Sequence, residues 1–399
     1  MPDSPSQAAE LIQRAAELVP ALRERARHVD VARRLPDETI SDLVDAGLFR
    51  IWIPKRYGGY QASVATHLDV IRTLGLGCVS TAWTMAMMTT TSWMAGQLPQ
   101  KAQDEIFGDD PSPRFVGLFT PTEHAAIRTE GGYIINGSRP WATGCLHATW
   151  AEIMVPLADE QGQIINQLWT FIPINQVEIV DTWDTMGLRG TGSNTLVVKD
   201  LFVPEHRTIP MLGPQGVMEG FTRNEHRDSE PLYRLPLAMI SRECFAGSIL
   251  GAAQSALSYA QSILPKRSIP YGPYVQQSKA VSTQLQIAEI ATMIDTADLH
   301  IRRSAAACDA AGEAGVFPSD EVRARCGHDA AFGIRTCKEA VDRLMYVCGA
   351  SSVGKNSPLE LIYRDVSTGT LHGVARVDAT LELLGSLLCG EGPNGTFVF

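Results

Sequence analysis

The 399-residue chain lacks the short signatures that tie a protein to a metal, a phosphate loop or a serine nucleophile. It has no HExxH and no CxxC, and its nine histidines are spread singly, so no metal site is expected. Gly354-KNS-Ser357 falls short of a Walker GK[ST], and Gly190-TGSN-Asn194 does not form the GxSxG elbow of a hydrolase. The run Gly187-LRGTG-Gly192 is not GxGxxG and sits between strand-like segments, which argues against a Rossmann nucleotide site. No stretch reaches the roughly 18–20 consecutive apolar residues that span a bilayer. Positive charge is in short supply: 34 Lys and Arg face 44 Asp and Glu, a formal net charge of −10. Such a surface argues against nucleic acid, whose phosphates need a basic patch. The eight cysteines form no close pair or disulfide framework, which fits a reducing compartment and a cytoplasmic protein with no membrane partner. The first residues, MPDSPSQAAELIQRAAELV, carry acid early and no unbroken apolar run, and are not expected to act as a signal peptide.

What is present divides into three by periodicity. Up to about Pro111 the pattern is helical. In Leu35-PDETISDLVDAGLF-Phe49, Asp37 is placed to cap a helix whose apolar face is Ile40, Leu43, Val44 and Leu48. A second helix, Cys78-VSTAWTMAMMTTTSWMAG-Gly96, is unusually apolar, and its polar residues are nearly all hydroxyls. It is expected to be buried or to line a cavity. From about Pro113 to Arg207 short runs rich in β-branched and aromatic residues predict strands, among them 152–157, 167–174, 177–180 and 195–204. Without intervening helices they read as an antiparallel domain, a small barrel or sandwich. From about Leu237 the helical period returns in long apolar stripes, the pattern of a bundle. Gly213 to Tyr233 reads as a long polar loop. The fold class is thus α+β, with helical residues 1–112, a β domain at 113–225 and a helical bundle at 226–399.

Two segments offer chemistry. Gly137-SRPWATGCLHATW-Trp150 places a ring and a hydroxyl, Trp141 and Thr143, two residues apart, on one face if the backbone is a strand. The pair could stack on and hydrogen-bond one planar ligand, or be an ordinary buried Trp beside a Thr. The other segment is Asp184-TMGLRGTGSNTLVVKDLFVP-Pro204.

These segments resemble the acyl-CoA dehydrogenase superfamily: WAT its Trp-Ile-Thr motif, MGLRGTGSNTLVVKDLFVP its MGxRGSxxxxLxFxxVxVP run, Ile53-PKRYGG its PxxYGG turn, and Tyr363-RD its YRD. The resemblance implies an N-terminal helical domain, a middle β barrel and a C-terminal four-helix bundle, usually assembled as a tetramer. It implies flavin against Trp141 and Thr143, with Phe119 and Thr122 as further cofactor contacts. Arg189 and Ser193 touch the flavin or fix their turn, and Arg267 reaches the cofactor of a neighbouring subunit. Two departures matter. Where many acyl-CoA dehydrogenases carry a glutamate base, this chain has Gly373 beside His372, and Thr122-EHAAI lacks the family's serine.

Both departures are similar to a branch of the superfamily, the two-component flavin monooxygenases. The chain resembles them in Arg139-PWATGCLHATW and in a histidine near the C-terminus. That likeness implies an oxygenase component that takes reduced FMN or FAD from a separate reductase by diffusion. The reduced flavin and O2 would form a C4a-hydroperoxide to oxidise a small aromatic, heteroaromatic or amine substrate. His372 and Thr143 would be catalytic, beside the flavin C4a and N5, and Trp83, Met87, Thr91 and Trp93 would line the substrate pocket. Neutral-range proton transfer suits histidine, whose unperturbed pKa is about 6.5; as a bare sequence, His372 could equally be a loop histidine that caps a helix. Thr91 stands where phenol hydroxylases of the branch often carry a histidine, which favours substrates other than simple phenols. The alternative is an acyl-CoA dehydrogenase whose base lies elsewhere.

Overall fold

The computed structural model describes residues 4–110, 112–212 and 222–393. Helices come first: α1 (Pro5–Ala32), α2 (Asp37–Asp45), α3 (Val64–Gly75), α4 (Val79–Ala95) and α5 (Gln100–Phe107). The Ser4 hydroxyl accepts the Gln7 N–H and Pro5 opens the first turn, so α1 starts where its free N–H groups are met. Asp37 is the first residue of α2, not its cap. Its carboxylate serves the positive helix end and pairs with Arg34 at 2.5 Å. In α4 the hydroxyls of Thr89, Thr90 and Thr91 donate to carbonyls of the preceding turn. That back-bonding lets a threonine-rich helix be buried without orphaned donors at these three positions.

The strands follow as two four-stranded sheets. One has the order β1 (Phe115–Leu118), β4 (Trp150–Ala158), β5 (Ile164–Pro173), β8 (Thr208–Pro210); the other runs β2 (Ile127–Thr129), β3 (Gly132–Ala142), β7 (Asn194–Pro204), β6 (Glu178–Val180). Val116, Ile153 and Leu168 of the first sheet share a core with Ile135, Leu196 and Val198 of the second. The expectation of an antiparallel domain needs correction. β1 and β4 pair in parallel, Phe115 opposite Trp150, because the intervening chain leaves to build β2 and β3 in the other sheet before returning. Trp150, Glu152 and Met154 alternate with Ala151, Ile153 and Val155; the latter three join the β core, while Met154 joins the helical core.

Of the loop expected at 213–233, residues 213–221 lie outside the described residues. The chain then forms α6 (Leu237–Glu243), α7 (Ala246–Ile263), α8 (Val281–Ala314), α9 (Asp320–Cys348), α10 (Pro358–Gly369) and α11 (Val377–Leu388). Helices α7, α8 and α9 pack on one another, with α10 against α7 and α9. The stretch from Tyr363 looks broken in sequence but stays helical to Gly369. Gly369 is buried there, and a Cβ on it would come within 3.0 Å of the Trp83 ring. One large apolar core links the N-terminal helices to the C-terminal ones. Among the described residues no helix is long and apolar enough to cross a membrane, and no group of three or more potential ligands could hold a metal ion.

Candidate active site

Helix α4 is the spine of the site. Within it only Met87 keeps appreciable solvent contact. Trp83, Met87 and Thr91 recur every fourth residue and so share one stripe. At its N-terminal end Trp83 meets the His372 ring edge-on at 5.8 Å between centroids, and Phe245 closes on both. In the middle, Thr84 and Met88 abut Gly144, where a Cβ would sit 2.5 Å from the Met88 methyl. The φ of +76° at Gly144 also favours glycine. At the far end, Thr91 packs on Gly117 of β1 and its hydroxyl is spent on the Met87 carbonyl. Trp93 does not join this stripe. Two residues past Thr91 it is turned to the opposite side, fully buried, with its indole N–H donated to the Leu232 carbonyl at 2.9 Å.

Trp141 and Thr143 do come together, but not on a regular strand. The β3–β7 register breaks between Arg139 and Ala142, and Trp141 has a φ of +72°. A bulky residue in the left-handed region costs about 1–3 kcal/mol and persists only where the surroundings impose it. The strained indole is 65% exposed. The Thr143 N–H returns to the Trp141 carbonyl at 2.9 Å, so a tight turn presents both side chains. The Thr143 hydroxyl lies 2.9 Å from that of Ser193, which is 2.7 Å from that of Thr191, which donates to the Leu188 carbonyl at 2.9 Å.

His372 caps the short turn Gly373–Ala375, and its Nδ1 accepts the Val374 N–H at 3.5 Å. That geometry puts the remaining ring proton on Nε2. The ring keeps some solvent contact, yet dense packing by Trp83 and Phe245 favours the neutral form and lowers its pKa to about 4. The capping role and a place beside the α4 stripe therefore coexist in one residue.

The other expected contacts are distributed differently. Arg189 donates to Asp184 Oδ1 at 2.6 Å and to the Thr185 and Asp30 carbonyls, so it fixes its own turn. Asp365 accepts the Leu188 N–H at 2.7 Å, and Arg364 grips Asp30 with both nitrogens at 2.9 Å while reaching the Met186 carbonyl. The Tyr363-RD motif thus clamps the 186–192 turn that carries the hydroxyl chain. Burial pushes the Asp365 carboxyl up to about 7. The Thr122 hydroxyl is spent on the His124 carbonyl, and Phe119 packs half-buried on the helical core. Arg267 lies beside Gly349 at the end of α9. A groove of about 860 Å³ lined by Glu123, His124, Ser138 and Lys199 touches none of the α4 stripe.

Sequence reading missed two features. Thr191 was not singled out as a link to Ser193, because only the turn brings them together. Glu152 was missed too, although a lone acid inside the apolar run Trp150-AEIMVP was a visible signal. It is fully buried beside Gly117, with Oε2 accepting the Leu118 N–H at 2.8 Å and Oε1 unpartnered. Burial holds its pKa well above the usual carboxylate range.

The platform, the hydroxyl and the tight glycine turn fit a planar polycyclic cofactor, and comparison with known proteins agrees. Residues 7–105 match the model for the acyl-CoA dehydrogenase N-terminal domain and residues 243–377 that for the acyl-CoA dehydrogenase C-terminal domain. The chain is 31% identical over 381 residues, 96% of it and 95% of the relative, to the flavin-dependent monooxygenase oxygenase subunit HsaA of Mycobacterium tuberculosis (strain ATCC 25618 / H37Rv). It is 28% identical over 394 residues, 97% of it and 91% of the relative, to the oxygenase component of p-hydroxyphenylacetate 3-hydroxylase from Acinetobacter baumannii. The structure of XiaF from Streptomyces sp. in complex with FADH2 and glycerol superposes with a TM-score of 0.91 at 30% identity, covering 98% of this chain and 97% of that one. The chain belongs to the acyl-CoA dehydrogenase superfamily, in its flavin-dependent monooxygenase branch.

Proposed function

We propose that the chain is the oxygenase component of a two-component monooxygenase that oxidises a small aromatic, heteroaromatic or amine substrate. A separate reductase supplies reduced FMN or FAD by diffusion. The observation that carries this reading is the exposed, strained Trp141 beside the Thr143 hydroxyl, on a turn whose Gly144 packs on helix α4, the helix whose Trp83 meets His372 next to Gly373. When bound, reduced flavin supplies the electrons that let one atom of O2 be inserted into substrate. The chain's own residues do the rest. Trp141 offers its face to the ring system, and Thr143 holds a hydroxyl at the ring's edge. Trp83 and Phe245 pack apolar surface against His372, and Met87 continues that surface along α4, which keeps water from the reacting atoms. His372, neutral at pH 7 with its proton on Nε2, is a hydrogen-bond donor to substrate or oxygen. Gly373 has no side chain to take a proton from a thioester, which disfavours the dehydrogenase reading.

Several finer features belong to the same proposal. The two sheets act as the barrel of the family, the C-terminal helices form its four-helix bundle, and the protein works in the cytoplasm as a homotetramer. Arg267 then serves a neighbouring subunit's cofactor. The test is turnover with a general NADH–flavin reductase, FMN or FAD, and a panel of phenols, indoles, sulfides and amines under 18O2. One labelled oxygen atom in a product supports the reading. Reduction of a tightly held flavin by an acyl-CoA thioester, with no label incorporated, would overturn it.

A further inference from the structure

The hydroxyl chain behind Thr143 has one direction that satisfies all three of its contacts. A carbonyl only accepts, so for all three contacts to be hydrogen bonds at once the single Thr191 hydroxyl proton goes to Leu188, whose carbonyl also takes the Thr191 N–H and the Trp183 indole N–H. The contact of 2.7 Å to Ser193 then needs the Ser193 proton. The contact of 2.9 Å between Ser193 and Thr143 in turn needs the Thr143 proton. Every hydroxyl proton is thereby drawn inward, toward the 188–192 turn. Thr191 and Ser193 are buried, while Thr143 keeps solvent contact. What Thr143 presents outward, on its solvent-contacting side, is lone pairs without a proton.

We infer that Ser193 and Thr191 are positioning residues that make Thr143 an obligate acceptor, and so let the site tell reduced flavin from oxidised flavin. This rests on the flavin reading above. The chemistry is general: reduced flavin carries a proton on N5 and donates there, whereas oxidised flavin has a lone pair at N5 and needs a donor. An outward-facing lone pair rewards the first and repels the second. An oxygenase that receives its flavin from a separate protein needs this discrimination, since it must take up the reduced form and let the spent oxidised form leave.

The relay also explains why one turn carries two buried hydroxyls, at Thr191 and Ser193. Thr191 and Ser193 are buried hydroxyls in a segment otherwise built from Gly190, Gly192 and the αL residue Leu188. The Asp365 carboxylate group on the Leu188 N–H and the Arg364 grip on the Met186 carbonyl hold the anchor of the relay in place.

The experiment is the affinity of the full-length protein for the same flavin, FAD and FMN in turn, in the reduced state under anaerobic conditions and in the oxidised state. Wild type is expected to prefer the reduced form. Ser193→Ala leaves the Thr143 hydroxyl in place but frees its proton, so affinity for the oxidised form should rise and the reduced-to-oxidised preference should fall by roughly three- to tenfold, the worth of one hydrogen bond. Thr143→Val should lower the preference from the other side, by weakening the reduced form. Thr143→Ser should keep it. Should Ser193→Ala fail to fold, Thr191→Val breaks the same chain one link earlier and should give the same fall. An unchanged preference in a folded Ser193→Ala or Thr191→Val protein overturns the relay and leaves the flavin reading standing. Absence of flavin binding to wild type in either redox state overturns both.

Discussion

Replacing Trp141 by glycine separates a cofactor platform from an ordinary structural tryptophan, because stability and binding should move independently. A buried Trp removed from a core costs about 3–5 kcal/mol. Trp141 is 65% exposed and sits at φ +72°, so little of that packing exists to be lost. Relief of the left-handed strain returns about 1–2 kcal/mol. The greater freedom of glycine in the unfolded chain takes back about 0.5–1 kcal/mol. The flavin-free variant should therefore be as stable in urea as wild type or more stable by up to about 1.5 kcal/mol. Binding should respond in the opposite sense. Stacking of a planar ring system on an aromatic side chain is worth about 1–3 kcal/mol, so reduced-flavin affinity should fall roughly 5- to 150-fold. Urea unfolding and anaerobic flavin titration on one preparation measure both. A loss of about 3 kcal/mol or more in stability, with unchanged flavin affinity, would refute the reasoning and return Trp141 to a structural role.

Three further outcomes follow from the geometry. His372→Ala should lower the rate of substrate oxidation by about a hundredfold or more, in line with loss of a positioned proton-transfer group, while reduced-flavin affinity stays within about threefold; equal losses in both would make His372 a binding or structural residue. Asp365 has a folded pKa raised to about 7, so its contribution to stability is full below the unfolded value near 3.8 and is lost as pH rises toward 7. Asp365→Asn cannot ionise and still offers an oxygen to the Leu188 N–H, so its melting temperature relative to wild type should climb between pH 4 and 7 and then level off; a difference that is flat with pH would contradict the buried environment. Arg364→Met removes the buried cation shared by Asp30 and Glu360 and leaves them the more exposed Arg27, and should cost about 3–5 kcal/mol in urea unfolding; a loss below about 1 kcal/mol would mean that the clamp on the 186–192 turn is held by other contacts.

Much of this architecture was written in local pattern. The helix–strand–helix order, the burial of the hydroxyl-rich α4 and the stripe of Trp83, Met87 and Thr91 follow from 3.6-residue and two-residue periodicity, which depends only on nearby residues. The family motifs carried the flavin reading for the same reason, since each is a contiguous run. Trp93 shows the limit: it shares the helix and chemical character of Trp83 but falls on the opposite face, toward Leu232.

The order of residues set which chemical groups were at hand: an indole and a hydroxyl in one short turn, a histidine next to a glycine, and an acid alone in an apolar strand. How those groups are used is a matter of the folded chain. Folding took Arg189 into its own turn, kinked β3 at Trp141 and ran β1 parallel to β4. It also joined Thr143, Ser193 and Thr191 into a chain with one direction. The physical reason is that periodicity reports which way a side chain points from its own backbone. Hydrogen-bond direction, strain and loss of solvent depend on groups that distant parts of the chain bring within a few ångströms.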